Sequence, residues 1–132
     1  MALIHGGITD AILGGFYAVY NELRYGYLEA VYARALEVEL NRRKVPHVRE
    51  MALDVRYKGI VVGVYRADFL VAGRVVVEVK ATRQIGDADR KQLLNYLRST
   101  NQEVGLILHF GPKAEFHRMV FTREEQSAQI DV

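Results

Sequence analysis

Two stretches of the sequence combine the pattern of a buried strand with charged side chains that such a strand normally excludes. Asp68 interrupts the apolar run at residues 67–71, and Glu78 and Lys80 follow the three valines at 75–77. A carboxylate in a buried strand is costly unless it is paired, protonated or bound to a metal ion. Because side chains alternate along a strand, Glu78 and Lys80 project from the same face. The pattern suits either a metal site or a plain salt bridge on a solvated sheet face.

The turn between these two strands decides whether Asp68 and Glu78 meet. A two-residue turn at 72–73 would put the two carboxylates on opposite faces of the sheet. A three-residue loop at 72–74, or a bulge that adds the missing residue, would place them directly across from each other, with Cβ atoms about 5 Å apart. Carboxylates that close repel each other unless a cation lies between them, and a divalent metal ion serves better than Lys80. We expect the two carboxylates to converge, with Lys80 beside them, because a shared metal ion requires a common face.

A carboxylate also breaks the apolar stripe of the second predicted helix, which extends from about residue 27 to 43. At about 100° per residue, Glu29 falls inside the apolar arc of this helix. Glu39 falls inside the same arc, so an inward position alone does not single out Glu29. For Glu39 we expect the ordinary solution, in which its side chain reaches solvent or pairs with Arg42 or Arg43.

The third predicted helix, which opens at residues 86–87, carries a polar stripe beside its leucines. The stripe occupies positions i, i+3 and i+7 and consists of Asp89, Gln92 and Tyr96. An ordinary solvated helix face presents the same pattern. The four histidines show no metal-ligand spacing, and the sequence contains no G-x-S-x-G, no P-loop and no G-x-G-x-x-G motif.

Hydrophobic periodicity predicts a single α/β domain with some α+β character over residues 1–132, in the order α-α-β-β-β-α-β-β. Helices are expected at about 9–23, 27–43 and 86–97, strands at about 51–57, 60–71, 74–81, 104–110 and 116–121, and a frayed tail at about 122–132. This order gives a central mixed sheet flanked by helices. A helix joins the third strand to the fourth, so these strands should be parallel neighbours. The continuous apolar run at 104–110 is typical of a strand covered on both faces.

Length and composition exclude several classes of protein. The chain has 132 residues, and 18 Lys and Arg against 16 Asp and Glu leave a net charge of +2. That balance excludes a histone-like binder but is compatible with a local basic groove. The absence of cysteine excludes thiolate catalysis and Cys-based metal sites. The sequence shows neither a signal-peptide pattern at its start nor an apolar run long enough to span a bilayer, so we expect a soluble, cytoplasmic protein.

Four motifs occur in an order that resembles one nuclease family. They are Gly-Tyr-Leu-Glu-Ala-Val-Tyr at 26–32, Asp68 followed by Glu-Val-Lys at 78–80, Gln-Leu-Leu-Asn-Tyr-Leu at 92–97, and Gly-Leu-Ile-Leu-His-Phe-Gly at 105–111. Together they resemble the GxxExxY proteins, a branch of the PD-(D/E)XK nuclease superfamily, over nearly the whole chain. The D…ExK pattern alone is a weak signal, whereas the four motifs in this order are a specific one.

The resemblance implies a restriction-endonuclease-like core with a site that hydrolyses phosphodiester bonds with the help of Mg²⁺, for which Mn²⁺ can substitute. Asp68, Glu78 and the main-chain carbonyl of Val79 would hold the metal ion, and Glu29 would complete the ligand set directly or through water. Lys80 would orient the attacking water or stabilise developing negative charge.

Further residues receive supporting roles from the same resemblance. Gln92 would position Lys80, a water molecule or the substrate backbone, with Tyr96 supporting the site from the same helix. Tyr32 is expected to be a packing residue whose hydroxyl supports Glu29. Nearness in sequence to the site suggests four candidate phosphate contacts, which are Arg66, Arg83, Arg90 and Lys91.

The leading hypothesis is a Mg²⁺-dependent nuclease that acts on DNA. Two alternatives are a non-catalytic nucleic-acid-binding or accessory subunit that keeps the fold, and a protein-interaction module whose carboxylates form structural salt bridges. The retained, costly carboxylates favour the nuclease. The small size and modest charge favour the accessory subunit, unless a homodimer enlarges the groove. The sequence departs from the family pattern at two positions. Asp89 occupies a position where the family often has a His, and His109 occupies one where the family commonly has an Asn before Phe-Gly. Neither change removes a core residue of the superfamily.

Overall fold

The computed structural model describes residues 4–122 and has the predicted order of elements. The helices are α1 (Gly6–Leu23), α2 (Glu29–Arg42) and α3 (Asp87–Thr100), and the strands are β1 (His47–Tyr57), β2 (Ile60–Val71), β3 (Val75–Lys80), β4 (Val104–Phe110) and β5 (Ala114–Val120). Of the predicted tail, residues 123–132 lie outside the described residues. Over residues 4–122, no helix combines the length and apolar character that a membrane crossing needs.

The strands form one five-stranded mixed sheet in the order β1-β2-β3-β4-β5. β3 and β4 are parallel, as predicted, and α3 makes the crossover between them. The other three neighbouring pairs are antiparallel. Every residue of β4 is buried, which confirms the prediction of a strand covered on both faces.

Helices cover both faces of this sheet. α1 and α2 share a core with one face, in which Phe16 packs with Leu36 and Val77. α3 shares a core with the other face, in which Leu93 lies with Ile107. Fully burying a large apolar side chain contributes about 1.5–3 kcal/mol. β3 and β4 contribute side chains to both cores. They are therefore rigidly packed, and the side chains at their ends are held in fixed positions.

The starts of α1 and α2 differ from the prediction, whereas α3 begins at Asp87 as predicted. α1 begins three residues before the expected cap at Thr9. α2 begins at Glu29 rather than at residue 27 because Leu28 is extended, with a φ of −67° and a ψ of 153°.

Glu29 is the first residue of α2 and is exposed. It precedes the buried Tyr32, Ala33 and Leu36 by three, four and seven residues, so it lies on the buried face of the helix, as predicted. Glu39 forms an ion pair with Arg43 at 2.9 Å, which was one of the outcomes expected for it.

The loop between β2 and β3 has three residues rather than two. Val71 pairs with Val75, which leaves residues 72–74 as the loop. Of the two registers considered from the sequence, this is the one in which Asp68 and Glu78 face each other across the hairpin.

Candidate active site

β2 and β3 separate at Asp68. Their ladder ends with the pair Phe69–Val77, and beyond it the Asp68 carboxylate accepts a hydrogen bond of 2.7 Å from the main-chain N–H of Val79. A side chain thus replaces the strand partner that this N–H would otherwise lack. One further step of the same register brings Asp68 opposite Glu78. The gap between the strands is where the candidate residues converge.

The alternation of side chains along β2 is interrupted beside Asp68. Tyr65 and Ala67 belong to the core beneath α3, whereas Phe69 belongs to the core beneath α1 and α2. Strict alternation would put these three odd-numbered residues on one face, so the alternation is broken between Ala67 and Phe69. Across the hairpin on β1, Glu50 has a left-handed φ of 52° at the same level. The break brings Tyr65 to the side on which Glu78 lies.

Tyr65 is a site residue that the sequence analysis missed. Its buried hydroxyl donates a short hydrogen bond to the Glu78 carboxylate. Its ring stacks on Tyr96 of α3, with centroids 3.8 Å apart and planes 7° from parallel. No period-two pattern could have identified Tyr65, because its position depends on the break in β2.

A cavity of about 160 Å³ lies between the end of β3 and α3. It is lined by Tyr65, Glu78, Lys80, Asp89, Gln92, Leu93, Tyr96 and Ile107. The polar stripe of α3 therefore faces the two charged residues of β3, as the sequence suggested. Asp89 has a second task, since its carboxylate accepts the Gly86 N–H at 3.0 Å and caps the start of α3.

Glu29 reaches the end of β3 from the other side of the sheet. Its carboxylate accepts a hydrogen bond from the main chain of Ala81, and it feels the charges of Lys80 and Asp68. The first turn of α2 thus brings a third carboxylate toward Lys80.

Tyr32 packs in the core as predicted, and its hydroxyl bonds the loop before α2 rather than Glu29 itself. The residue is fully buried and stacks on Phe110 at 4.3 Å, which agrees with a packing role. Its hydroxyl, however, donates to the carbonyl of Arg24 and accepts the N–H of Tyr27 at 3.2 Å. The hydroxyl fixes the loop that precedes α2, and it supports Glu29 only through that loop.

Burial raises the pKa of Glu78 from its ordinary 4.5 to about 7. The hydrogen bond from Tyr65 and the charge of Lys80 oppose this rise in pKa, whereas the nearby carboxylate of Asp68 adds to it. Burial likewise raises the pKa of Tyr65, and the adjacent Glu78 charge raises it further. The Tyr65 hydroxyl therefore stays protonated and acts as a donor.

Burial is also the main cause that raises the pKa of Asp68, against the N–H of Val79 and the positive charge of Lys80. The same cause raises the pKa of Glu29, with Lys80 opposing the rise. Three carboxylates thus share one lysine, and desolvation disfavours the charged form of each.

Arg49 is a second residue that the sequence analysis missed. Its charge lowers the pKa of Asp68, and its guanidinium lies 4.9 Å from the centre of the Phe69 ring. It also approaches Glu37 at 3.6 Å, so its charge is divided between two carboxylates. The cross-strand pair Arg49–Phe69 places it here, and that pairing could be found only with the register of β1 and β2 in hand.

The donor set suits a hard divalent cation, although it does not form a three-carboxylate cage. Over residues 4–122, no three His, Asp or Glu side chains are grouped closely enough to hold a metal ion. Asp68 and Glu78 supply two carboxylates that are desolvated and short of positive charge, and β3 adds main-chain oxygens. Mg²⁺ prefers oxygen donors, keeps several waters, and is commonly bound by one or two carboxylates. The residues present fit such an ion.

The four candidate phosphate contacts are not brought together. Arg90 forms an ion pair with Asp87 one turn earlier on α3. Lys91 lines a groove along α3 that adjoins the cavity through shared wall residues. Arg66 is exposed on β2, and Arg83 lines a separate groove beyond the end of β3.

Comparisons with known proteins bear on this arrangement. A crystal structure of the protein SSO0001 has a similar fold, with a TM-score of 0.53 and 18% sequence identity. The match covers 96% of this chain and 65% of the SSO0001 chain, and it concerns the fold alone. No match was found among curated protein sequences. A sequence model of the PD-(D/E)XK nuclease superfamily matches residues 7–119, a range that contains the whole convergence at the end of β3, and the chain therefore belongs to this superfamily.

Proposed function

We propose that this protein is a Mg²⁺-dependent nuclease that hydrolyses phosphodiester bonds of DNA. The observation that carries the proposal is the convergence of Asp68, Glu78 and Lys80 where β2 separates from β3. Like charges are held together there in a desolvated setting, at a cost that a purely structural salt bridge does not require. Perturbed carboxylates in a cleft are a feature of catalytic sites.

We assign the metal site to Asp68, Glu78 and the carbonyl of Val79, with Mn²⁺ able to substitute for Mg²⁺. The bound ion would neutralise charge on the attacked phosphate and lower the pKa of a coordinated water. Glu29 contributes through a water molecule, since it is exposed and its carboxylate already accepts the Ala81 N–H. Neutral protonated carboxylates bind cations poorly, so the site should fill most readily above the raised pKa of Glu78.

Lys80 acts on the reacting groups. Its ammonium group lies among the carboxylates and lines the cavity between β3 and α3. From there it can orient the attacking water and stabilise negative charge as it develops on the phosphate oxygens. Gln92 on the opposite wall has an amide that can donate to the substrate backbone and accept from the water or from Lys80.

Tyr65 and Tyr96 are positioning residues in this proposal. The stacked pair fixes the hydroxyl of Tyr65 against Glu78, which limits the rotamers available to that carboxylate. A ligand whose orientation is fixed before the metal ion arrives loses less entropy on binding.

Membership of the GxxExxY branch is part of the proposal, and the loop before α2 supports it. Gly26 adopts a φ of 123° that a residue with a side chain rarely takes, and Tyr32 holds the loop through Arg24 and Tyr27. Glu29 begins the helix directly after that loop. The Gly, Glu and Tyr of the motif therefore act as one unit that presents a carboxylate to the end of β3.

The test is incubation of the purified protein with circular DNA, linear DNA and RNA, each with Mg²⁺, with Mn²⁺ or with a chelator. We expect metal-dependent cleavage of DNA that is lost in Asp68→Asn. Asp10→Asn is the matched control, because Asp10 is an exposed residue of α1 and the substitution removes the same charge. Cleavage that survives Asp68→Asn would contradict the site assignment. Binding of DNA without cleavage by any divalent metal would replace the nuclease with the accessory subunit.

A further inference from the structure

A second polar groove lies next to the cavity, beyond the end of β3. Its walls are the loop at residues 82–85 and the turn at 112–113, and we call it the Arg83–Lys113 groove after its two cationic side chains. His109 and Glu115 complete the lining from β4 and β5, and the enclosed volume is about 360 Å³. That volume is ample for a phosphate group with its water molecules.

The groove is adjacent to the proposed catalytic lysine. Lys80 and His109 are register neighbours on the parallel strands β3 and β4, so their side chains project from the same face of the sheet. The chain continues from Lys80 into the loop that carries Arg83. A nucleic-acid strand with one phosphate at Lys80 would meet this groove if it continued past the end of β3 on this face of the sheet.

The loop that carries Arg83 is held in place by His109. This histidine is only 3% exposed, and its Nε2–H donates to the carbonyl of Thr82. The Thr82 hydroxyl donates to the carbonyl of Gln84 at 2.9 Å, which fixes the next turn of the loop. A Cβ at Gly111 would lie 2.5 Å from His109 Nε2, so only glycine leaves room for this arrangement. The main chain of the loop that carries Arg83 is thus anchored to the core through His109.

The charges of the groove favour an anion. Within residues 4–122, neither Arg83 nor Lys113 has an ion-pair or hydrogen-bond partner, in contrast to Arg90, which is neutralised by Asp87. Glu115 is the one carboxylate in the lining. The two cationic side chains, Arg83 and Lys113, therefore outnumber the one carboxylate around a space of phosphate size.

We propose that the Arg83–Lys113 groove binds a second backbone phosphate of the nucleic-acid strand whose neighbouring phosphate lies at Lys80. The inference rests on the proposed function, because it takes the strand as the substrate of the adjacent site. Arg83 and Lys113 hold the flanking phosphate, and His109 holds the loop that positions Arg83. This contact fixes the register of the strand without reading its bases.

The first test measures binding in a chelator, so that cleavage cannot interfere. Anisotropy of a labelled duplex is recorded between about 50 and 200 mM KCl for wild type and for Arg83→Ala/Lys113→Ala. Loss of this phosphate contact should weaken binding at least about tenfold and reduce the log–log salt slope by about 0.9. Arg42→Ala/Lys44→Ala is the matched control, because both residues are exposed and lie at the end of α2 opposite Glu29. An equal loss in this control would show a general charge effect and overturn the proposal.

A cleavage measurement separates failure of the groove from failure of the function. The double variant should raise KM and leave the single-turnover rate at saturating DNA within a few-fold of wild type. If wild type cleaves DNA and the double variant binds and cleaves like wild type, the proposed phosphate contact in the groove is wrong. The proposed nuclease function would be unaffected. If wild type binds DNA but never cleaves it, the proposed nuclease function is wrong. The salt slope of binding still tests whether the groove holds a phosphate. Absence of any binding by wild type would overturn the groove as well.

A final arm distinguishes a strand phosphate from a free one. Melting temperatures of wild type and the double variant are compared in inorganic phosphate and in chloride at equal ionic strength. We expect no difference between the two proteins in their response to phosphate, because a single free ion lacks the contacts at Lys80. A phosphate-induced stabilisation that occurs only in wild type, without an effect on DNA binding, would assign the groove to a free anion instead.

Discussion

Replacement of Glu78 by Gln should remove a pH-dependent loss of stability. The raised pKa of Glu78 means that folding favours its protonated form, since burial penalises the carboxylate. Gln keeps the size of the side chain and an oxygen that accepts the hydrogen bond from the Tyr65 hydroxyl. It carries no charge at any pH, so the variant isolates the cost of ionising this one group.

The sign and size of the effect follow from the two pKa values. Below pH 4.5 Glu78 is protonated in both states, and above about pH 7 it is ionised in both. Between these values the folded state binds the extra proton, so stability falls as pH rises through the window. A shift of 2.5 pH units, from 4.5 to about 7, corresponds to about 3 kcal/mol at most. That is a large fraction of the roughly 5–15 kcal/mol that stabilises an ordinary domain.

Urea unfolding in a chelator, at intervals from about pH 4.5 to 8, measures this effect. The difference in unfolding free energy between Glu78→Gln and wild type should grow across the window, to a midpoint difference of roughly 1–2 M urea. Glu22→Gln is the control, because Glu22 is exposed on α1 and the substitution removes the same charge. A difference between Glu78→Gln and wild type that stays constant from pH 4.5 to 8 would refute the reasoning.

Four further outcomes are expected. Mg²⁺ or Mn²⁺ should raise the melting temperature of wild type, and Asp68→Asn should show a smaller rise, because it lacks a carboxylate that binds only in the folded state; equal rises would contradict the metal site. Lys80→Ala should lower the cleavage rate by about 10²-fold or more and leave DNA affinity within a few-fold, as rate and anisotropy measurements would show. Tyr65→Phe should move the pH-dependent loss of stability to higher pH, because its hydrogen bond lowers the pKa of the adjacent carboxylate, and the same urea titration measures this. Lys91→Ala should reduce the salt slope of DNA binding by about 0.9, whereas Arg90→Ala should change it less because Arg90 is already paired.

The sheet and its order could be predicted because the signals lie in short stretches of sequence. The apolar run of β4 indicates burial on both faces, and the helical pattern between β3 and β4 requires a crossover. The starts of α1 and α2 were predicted less accurately. The extended Leu28 that delays α2 lies in a loop fixed by Tyr32, whose hydroxyl bonds the main chain of Arg24 and Tyr27, eight and five residues earlier. The face on which Glu29 lies was nevertheless correct, because its spacing to the buried Leu36 and Leu40 does not depend on where the helix starts.

The sequence predicts those parts of the candidate site that depend on strand register. It does not predict the part that depends on an irregular strand. A loop length of three residues at 72–74 was one of two alternatives, and it suffices to bring Asp68 and Glu78 to one face. Tyr65 could not be found in this way, because its approach to Glu78 requires the break in alternation along β2. No propensity scale marks such a break, which results from contacts between strands and helices that are distant in sequence.

The irregular backbone and the crowded carboxylates occur at the same place, and this coincidence argues against a purely structural role. Glu50 is held in a left-handed conformation that costs about 1–2 kcal/mol, next to a gap in the ladder that the Asp68 carboxylate fills. Desolvation of Glu78 adds a further cost above its raised pKa. A sheet built for stability alone would gain by pairing β2 with β3 throughout and by placing valine at these positions, as it does at Val75 and Val77. Strain that accumulates beside charged side chains is expected where a site must be open and polar before its ligand arrives.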